Sequence, residues 1–459
     1  MISSKPLLLK FSIGLIALLQ PLTREPLLDL QETTRLALSG NKELSISRLE
    51  VIQAKLSSQR IGREFGPRLD LKYENLREDS PSLFLARRIE ERNLNLGSQD
   101  LNHPGPHSHS SLGLHFQLPL STGGLKNLSR QISKIRERIT DSVHSLTKNE
   151  IIAGAVSLLL HHRVALEELK TQSSALERIQ SHLREMEIKA RGGSILKTDL
   201  LSMQVRKEEV RMKVVQAHAQ VETSRATLST FLGMDLDHPV KIKTPIGEFP
   251  PLPLQLKDAL ESGDEHRMEL KKSEWEILVS ENLVKQAQTD RKWKVSLFGN
   301  YQSSGSSLGI PDDGNSYIAG IAFSKNLFDH SLTRRKEQEV AKLVEKNELE
   351  RERIRSQVRL EIKSAFERLK SARESVKVSK VNTQLAQENL ELMKRYYGGG
   401  SVTATSLLEA DQAYTNALLR GVLNRSEEDL ARMELLRSMG LSKSLLQSPL
   451  DFGKERKIK

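Results

Sequence analysis

Apolar positions along the chain follow two rhythms, and each rhythm occurs twice. In "PRLDLKY" they alternate, placing Leu69, Leu71 and Tyr73 on one face and Asp70 and Lys72 on the other. "LGLHFQLPL" aligns Leu112, Leu114, Phe116, Leu118 and Leu120 in the same way. "WKVSLFGNY" aligns Trp293, Val295, Leu297 and Tyr301, and "YIAGIAF" aligns Tyr317, Ala319, Ile321 and Phe323. A period of two predicts four half-apolar strands, in two hairpins joined by loops rich in Gly, Ser, Pro, Asn and Asp. Elsewhere the steps are three and four. Leu125, Leu128, Ile132, Ile135 and Ile139 form one such seam; Ile354, Val358, Ile362, Ala365, Leu369, Ala372 and Val376 form another. This spacing predicts helices over about 124–191 and 330–397, each roughly 100 Å long, with narrow seams suited to side-by-side packing. Shorter helices are expected before each strand pair, at 41–64 and 265–290. Return helices are expected at 198–232 and 404–439.

Each long helix ends at glycines and then resumes as helix. "RGGSILKTDLL" (191–201) lies over "GGSVTATSLL" (399–408) at an offset of 207, which also carries Phe116 onto Phe323. "LALSGN" (36–41) pairs with "ALESGD" (259–264) at about 223, so the first copy holds extra residues near 75–111. The expected organisation is a signal segment (1–24), a first repeat (28–236), a proline-rich linker (237–251), a second repeat (252–442) and a basic tail (443–459). A helix that doubles back needs residues for which positive φ costs little, and Gly192, Gly193, Gly398, Gly399 and Gly400 supply them. Thr198 or Asp199 is placed to cap one return helix, and Ser406 with Glu409 the other.

Composition agrees with long helices. Charged residues reach 28% and aromatic residues only 4%. No proline lies between Pro119 and Pro239 or between Pro311 and Pro449, and interior proline would break such helices at a cost of about 3 kcal/mol. The net charge of +11 comes from interleaved acidic and basic residues without stacking aromatics, which reads as solvated helix faces and argues against nucleic acid. The absence of cysteine excludes disulfides, thiolate metal sites and thiol nucleophiles. At the start, Lys5 and Lys10 precede an apolar run from Phe11 to Leu19, a secretory signal pattern too short for a bilayer span, with the cleavage point open.

Four amphipathic strands cannot close a barrel alone. Two hairpins packed on helices in a soluble α+β protein satisfy the strand pattern equally; a membrane location requires several chains to seal the sheet borders, with the tyrosines and Trp293 in an interfacial girdle. At this point the residues resemble a known family. The duplicated layout, with "GGSILKTDLL" and "YGGGSVTATSLLEADQAYTNALL", looks like the TolC family of outer membrane efflux proteins, whose motif matches at Tyr397, Gly400, Thr403, Leu407, Leu408 and Ala410. The resemblance implies an α+β membrane protein: a tandem-duplicated protomer with long α-helical hairpins and four transmembrane β-strands. Three protomers would form a twelve-stranded β-barrel in the outer membrane and an α-helical tunnel in the periplasm. It also implies a homotrimer bounded by outer membrane lipid, opened at its tips by a periplasmic adaptor joined to an inner-membrane transporter of RND or ABC type, with no enzymatic activity and no cofactor. Polar groups near the tips, here Thr198, Asp199, Tyr397, Thr403, Ser406 and Glu409, would form the constriction or serve only as helix caps. Ser406 stands where the family often has Asp, and Val402 where some members have a gate arginine, which reduces the gating network.

Two further features remain. "NHPGPHSHSSLGLHF" gathers His103, His107, His109 and His115 in what reads as a solvated loop, with His103, His107 and His109 as weak candidate metal ligands. His161 and His162 read as ordinary helix residues. No Walker loop, G-x-S-x-G or H-E-x-x-H is present. The rival to an exit duct is a periplasmic or soluble coiled-coil scaffold without channel activity, which has no need of paired strands with outward aromatics.

Overall fold

The computed structural model describes residues 27–97, 100–191, 195–243, 245–306 and 314–446; the expected signal segment and most of the basic tail lie outside them. The first half runs β1 (Leu27–Leu28), α1 (Leu30–Gly40), α2 (Lys42–Arg63), β2 (Arg68–Glu78), α3 (Pro81–Glu90), β3 (His107–Ser121), α4 (Leu125–Arg191) and α5 (Lys197–Phe231). After β4 (Lys241–Ile242), the second runs α6 (Leu256–His266), α7 (Met268–Ala287), β5 (Lys294–Gly305), β6 (Gly314–Ser324), α8 (Leu332–Gly398) and α9 (Ala404–Ser438). α4 and α8 are each 67 residues and α5 and α9 each 35, starting 207 positions apart. Upstream of the hairpins the offset is 226 rather than about 223, so the first hairpin carries the surplus. Part of that surplus is α3, a helix where the sequence reads as loop.

The expected helices at 41–64 and 265–290 are α2 and α7, and each follows a break from a shorter helix, α1 or α6. Asn41 leaves helical geometry (φ −67°, ψ 127°), and its side chain accepts hydrogen bonds from the backbone N–H groups of Glu43 and Leu44, capping α2. Arg267 makes the equivalent break before α7 (φ −69°, ψ 118°). The first break is fixed by close approach: a Cβ on Gly40 would lie 2.0 Å from the Leu232 carbonyl oxygen. Thus the end of "LALSGN" (36–41) meets Leu232 and Gly233 in space, where α5 ends on α1. The expected linker is not loose. β4 pairs parallel with β1, the Leu30 N–H donates to the Ile246 carbonyl (2.9 Å), and Ile246 is buried in the main core.

The helices form one layer. α4 packs against α2 and then α5 on one side, and against α7 and α9 on the other; α8 lies outside α7 and α9. The predicted seams face inward, with Ile132, Val358, Ile362, Ala365, Leu369 and Ala372 buried. Two apolar clusters hold the layer. One lies at mid-length around Ile152, Leu159, Leu160 and Leu435, and the other near the glycine turns around Ile179, Met186, Met203 and Leu407. The outer flanks stay apolar and exposed: Ile46, Leu49 and Leu56 on α2; Leu201, Val205, Met212 and Val215 on α5; Val378, Val381 and Leu385 on α8.

Candidate channel wall and helical tips

The four strands form a single antiparallel sheet in the order β2-β3-β5-β6. Its register aligns the predicted apolar positions into rows crossing all four strands. Leu71, Leu114, Tyr301 and Tyr317 form one row, and Leu69, Phe116, Gly299 and Ala319 the next. Leu118, Leu297 and Ile321 continue the face, which ends at Val295 and Phe323. The opposite face carries Asp70, Lys72, His115, Asn300 and Gln302, with His115 Nδ1 3.0 Å from Asn300 Oδ1. Pairing ends at β2 and β6, whose outer borders have no partner strand among the described residues. Among the described residues no helix is long and apolar enough to cross a membrane, so the apolar face of this sheet is the surface suited to lipid.

The histidine-rich segment departs from the expected solvated loop. β3 begins at His107, and His109 is buried on the polar face, its Nδ1 2.9 Å from Glu91 Oε1. Arg88 reaches the other Glu91 oxygen at 3.2 Å and lies over the Phe84 ring, which meets His107 edge-on. On the far side, Arg92 donates to the Asn315 carbonyl at the start of β6 (2.9 Å), and a Cβ on Gly314 would lie 2.1 Å from Glu90 O. α3 therefore spans the hairpin end of the sheet over its polar face. His103 stays exposed beside Asp100. Among the described residues no three metal-ligating groups converge.

At the opposite end of the molecule lie the helical turns. α8 ends in a Schellman motif: the Ser401 N–H donates to Tyr396 O (2.9 Å) and the Gly400 N–H to Tyr397 O (3.1 Å). Only Gly400 of the three glycines has positive φ (+75°); Gly398 is still helical and Gly399 has φ −84°. Gly192 and Gly193 lie outside the described residues. The caps differ from those expected. Thr403, not Ser406, is the N-cap of α9, accepting from the Ser406 N–H (3.3 Å), while Ser406 Oγ lies 3.1 Å from Thr403 Oγ1. Glu409 is exposed in the second turn. The N-cap of α5 is Leu196, which has no capping side chain; Thr198 and Asp199 sit in the first turn, where the Asp199 carboxylate complements the helix dipole.

The ends of α4 and α8 touch within one chain. Lys189, at the end of α4, holds its ammonium 4.8 Å from the Tyr397 ring centre and 3.5 Å from the Tyr397 carbonyl. Tyr397 is buried, and its hydroxyl has no hydrogen-bond partner among the described residues. Burial raises the pKa of that phenol, and the Asp199 and Glu185 carboxylates raise it further. It therefore stays neutral. Three turns up, Arg178 on α4 donates to Asp411 and Thr415 on α9 (2.7 Å each) and covers the Tyr414 ring. The sequence reading missed Arg178, Asp411 and Lys189. Asp411 directly follows the matched motif, but nothing in the spacing joins it to a residue 233 positions away.

Residues 260–441 match the outer membrane efflux protein family. No curated protein matches the sequence. Among solved structures, the fold is similar to CusC, described as forming a transmembrane channel (TM-score 0.75, 14% identity, 90% of this chain and 92% of that one). It is also similar to the Campylobacter jejuni CmeC outer membrane channel (0.73, 16%, 93% and 88%). A third likeness is the Neisseria gonorrhoeae MtrE outer membrane channel in its open state (0.72, 14%, 92% and 91%). At these identities the structures speak for the fold, and the family match speaks for the sequence. The resemblance read from the residues holds to this extent: residues 260–441 match the outer membrane efflux protein family, and nine-tenths of the chain has the fold of these channels.

Proposed function

We propose that three copies of this chain form the exit duct of a tripartite efflux pump or type I secretion system. The observation that carries this reading is the sheet: four strands of alternating direction, one continuous apolar face and two unpaired borders. Because β2 and β6 run in opposite directions, β6 of one copy can pair antiparallel with β2 of the next, and three copies give twelve strands without an open edge. Tyr301 and Trp293 lie eight residues apart on the apolar face, about 27 Å along the strand. Barrel tilt reduces that to roughly 20 Å along the axis, near the height of an outer membrane apolar band. The exposed stripes on α2, α5 and α8 give the helical layer matching seams for its neighbours.

In this reading the repeats 28–236 and 252–442 each give one strand hairpin to the barrel and one helical hairpin to a periplasmic tunnel. The turns at Gly192–Gly193 and Gly398–Gly400 face a periplasmic adaptor and an inner-membrane transporter of RND or ABC type. Asp199, Tyr397 and Glu409 stand near the constriction, Thr403 caps the return helix with the Ser406 hydroxyl against its own, and the duct itself needs no cofactor. The chain has no native cysteine, which makes a crosslinking test clean. Leu69→Cys, Leu71→Cys or Tyr73→Cys, each combined with Ala319→Cys, should yield a covalent trimer in at least one pairing. The trimer should also conduct ions in a planar bilayer. Monomer alone across the whole series, with no conductance, would overturn the proposal.

A further inference from the structure

The end of the sheet nearest the long helices carries a charge distribution that neither the barrel nor the tunnel requires. Its four chain crossings, 60–68, 122–130, 289–294 and 325–337, hold twelve Lys and Arg against four Asp and Glu. The hairpin loops at the opposite end, 79–106 and 306–313, hold three against six. The collar's acidic groups are already engaged. Glu64 pairs with Arg60, Asp290 with Lys294 and Lys336, and Glu337 with Arg291, while Asp329 accepts from the Thr333 N–H and hydroxyl. Arg63, Lys292, Lys325, Arg334 and Arg335 are left exposed with no carboxylate partner among the described residues.

Beside these cations the chain exposes large apolar groups. Leu327 is 87% exposed, Phe328 83% and Trp293 57%, with Lys325 Nζ 5.7 Å from the Trp293 ring centre. The segment has a defined shape: the Asp329 hydrogen bonds pin its turn onto α8, and His330 and Ser331 adopt positive φ (50° and 66°). Apolar tips interleaved with unpaired cations match the boundary of a lipid leaflet, where acyl chains take the tips and phosphates take the charges.

We propose that this collar binds the headgroups of anionic glycerophospholipids in the leaflet on the helix side of the barrel, with Leu327, Phe328 and Trp293 seated at the acyl boundary. The proposal rests on the barrel reading above. It commits to the phospholipid leaflet because the cations gather at the helix end, while the opposite end is acid-rich. Each exposed cation near such a surface strengthens attraction about fivefold, and a trimer presents the patch three times.

The test reconstitutes the full-length purified protein into phosphatidylethanolamine vesicles with and without phosphatidylglycerol. It compares the natural chain with a Lys325→Gln, Arg334→Gln, Arg335→Gln triple variant and with Phe328→Ser. Flotation reads insertion, native mass spectrometry reads retained phosphatidylglycerol, and size exclusion reads the oligomer. The natural chain should insert at least about tenfold better with phosphatidylglycerol and lose that preference in high salt. The triple variant should lose the preference while remaining a trimer, and Phe328→Ser should insert less into both vesicles. Equal insertion and no retained phosphatidylglycerol for the natural chain would overturn the proposal. So would variants that fall to monomers with lipid preference intact, because the patch would then be a contact between protomers. Insertion into neither vesicle would overturn the barrel reading itself, and this proposal with it.

Discussion

Arg178 and Asp411 join the two helical hairpins of one chain, with guanidinium Nε 2.7 Å from a carboxylate that is only 2% exposed. Removing the acid leaves Arg178 beside His182 and the Tyr414 ring without its counter-charge. Asp411→Ala should lower stability by about 3 kcal/mol, because breaking a buried pair strands the remaining ion. Thermal unfolding followed by helical circular dichroism checks this, and a shift no larger than that of an exposed-pair control such as Glu350→Ala would refute it.

The three tip glycines should respond differently. Gly400 sits at φ +75°, where a Cβ costs roughly 1–2 kcal/mol, so Gly400→Ala should destabilise and Gly400→Val should also impair export. Gly398 is helical with open space around it, so Gly398→Ala should stabilise by about 0.5–1 kcal/mol. Equal effects at the two positions would contradict the assignment of the turn.

Those differences mark what the sequence could and could not show. The 67-residue helices and the strand faces were legible because their rhythms persist for many periods. The short helices α1 and α6 were not, since 11 residues each hold too few helical periods to stand out. α3 was missed because ten residues between Ser80–Pro81 and an Asn/Gly-rich stretch look like loop. At the α9 cap, Thr403 and Ser406 are both suitable residue types. The Schellman turn at Gly400 decides between them, leaving Thr403 the extended residue before the helix (φ −80°, ψ 160°). Contacts such as Lys189–Tyr397 and His109–Glu91 involve common residue types far apart in sequence, and only the fold brings them together.

His109 makes a prediction of its own. Glu91→Ala removes the partner of a buried imidazole and frees Arg88, so α3 should detach from the strand end. Limited proteolysis should then cut within 81–91 at least several-fold faster than in the natural chain. Unchanged protection would mean that Phe84, the Arg87–Glu78 pair and the Arg92–Asn315 contact hold the helix without Glu91.

Acid should weaken the helical layer. His162 and His182 have pKa values below the usual 6.5, in each case chiefly from burial. Arg225 lowers His162 further, while Asp411 partly offsets the burial of His182. A depressed histidine binds protons more readily in the unfolded chain, so stability declines as pH falls below about 6.5 and continues to fall toward the folded-state pKa. Unfolding midpoints across that window should drop for the natural chain and drop less for His182→Gln. Parallel profiles would exclude His182 as a contributor.

Substituting Val381→Glu on the outer flank of α8 should leave the single chain folded, because that side chain is 58% exposed and belongs to neither apolar cluster. It should nonetheless abolish the trimer in detergent by sizing. A trimer of normal size would show that α8 does not border a neighbour.

Before it meets its copies, the chain presents two raw ladders of amide and carbonyl groups, one along β2 and one along β6. Any stretched polypeptide nearby can latch onto them, and every new arrival offers a fresh ladder in turn. On the proposed ring, growth would halt only when the last ladder finds the first. Each copy would then face a race between closure and runaway stacking, and shielding the ladders until partners arrive would matter as much as the strength of the finished tube.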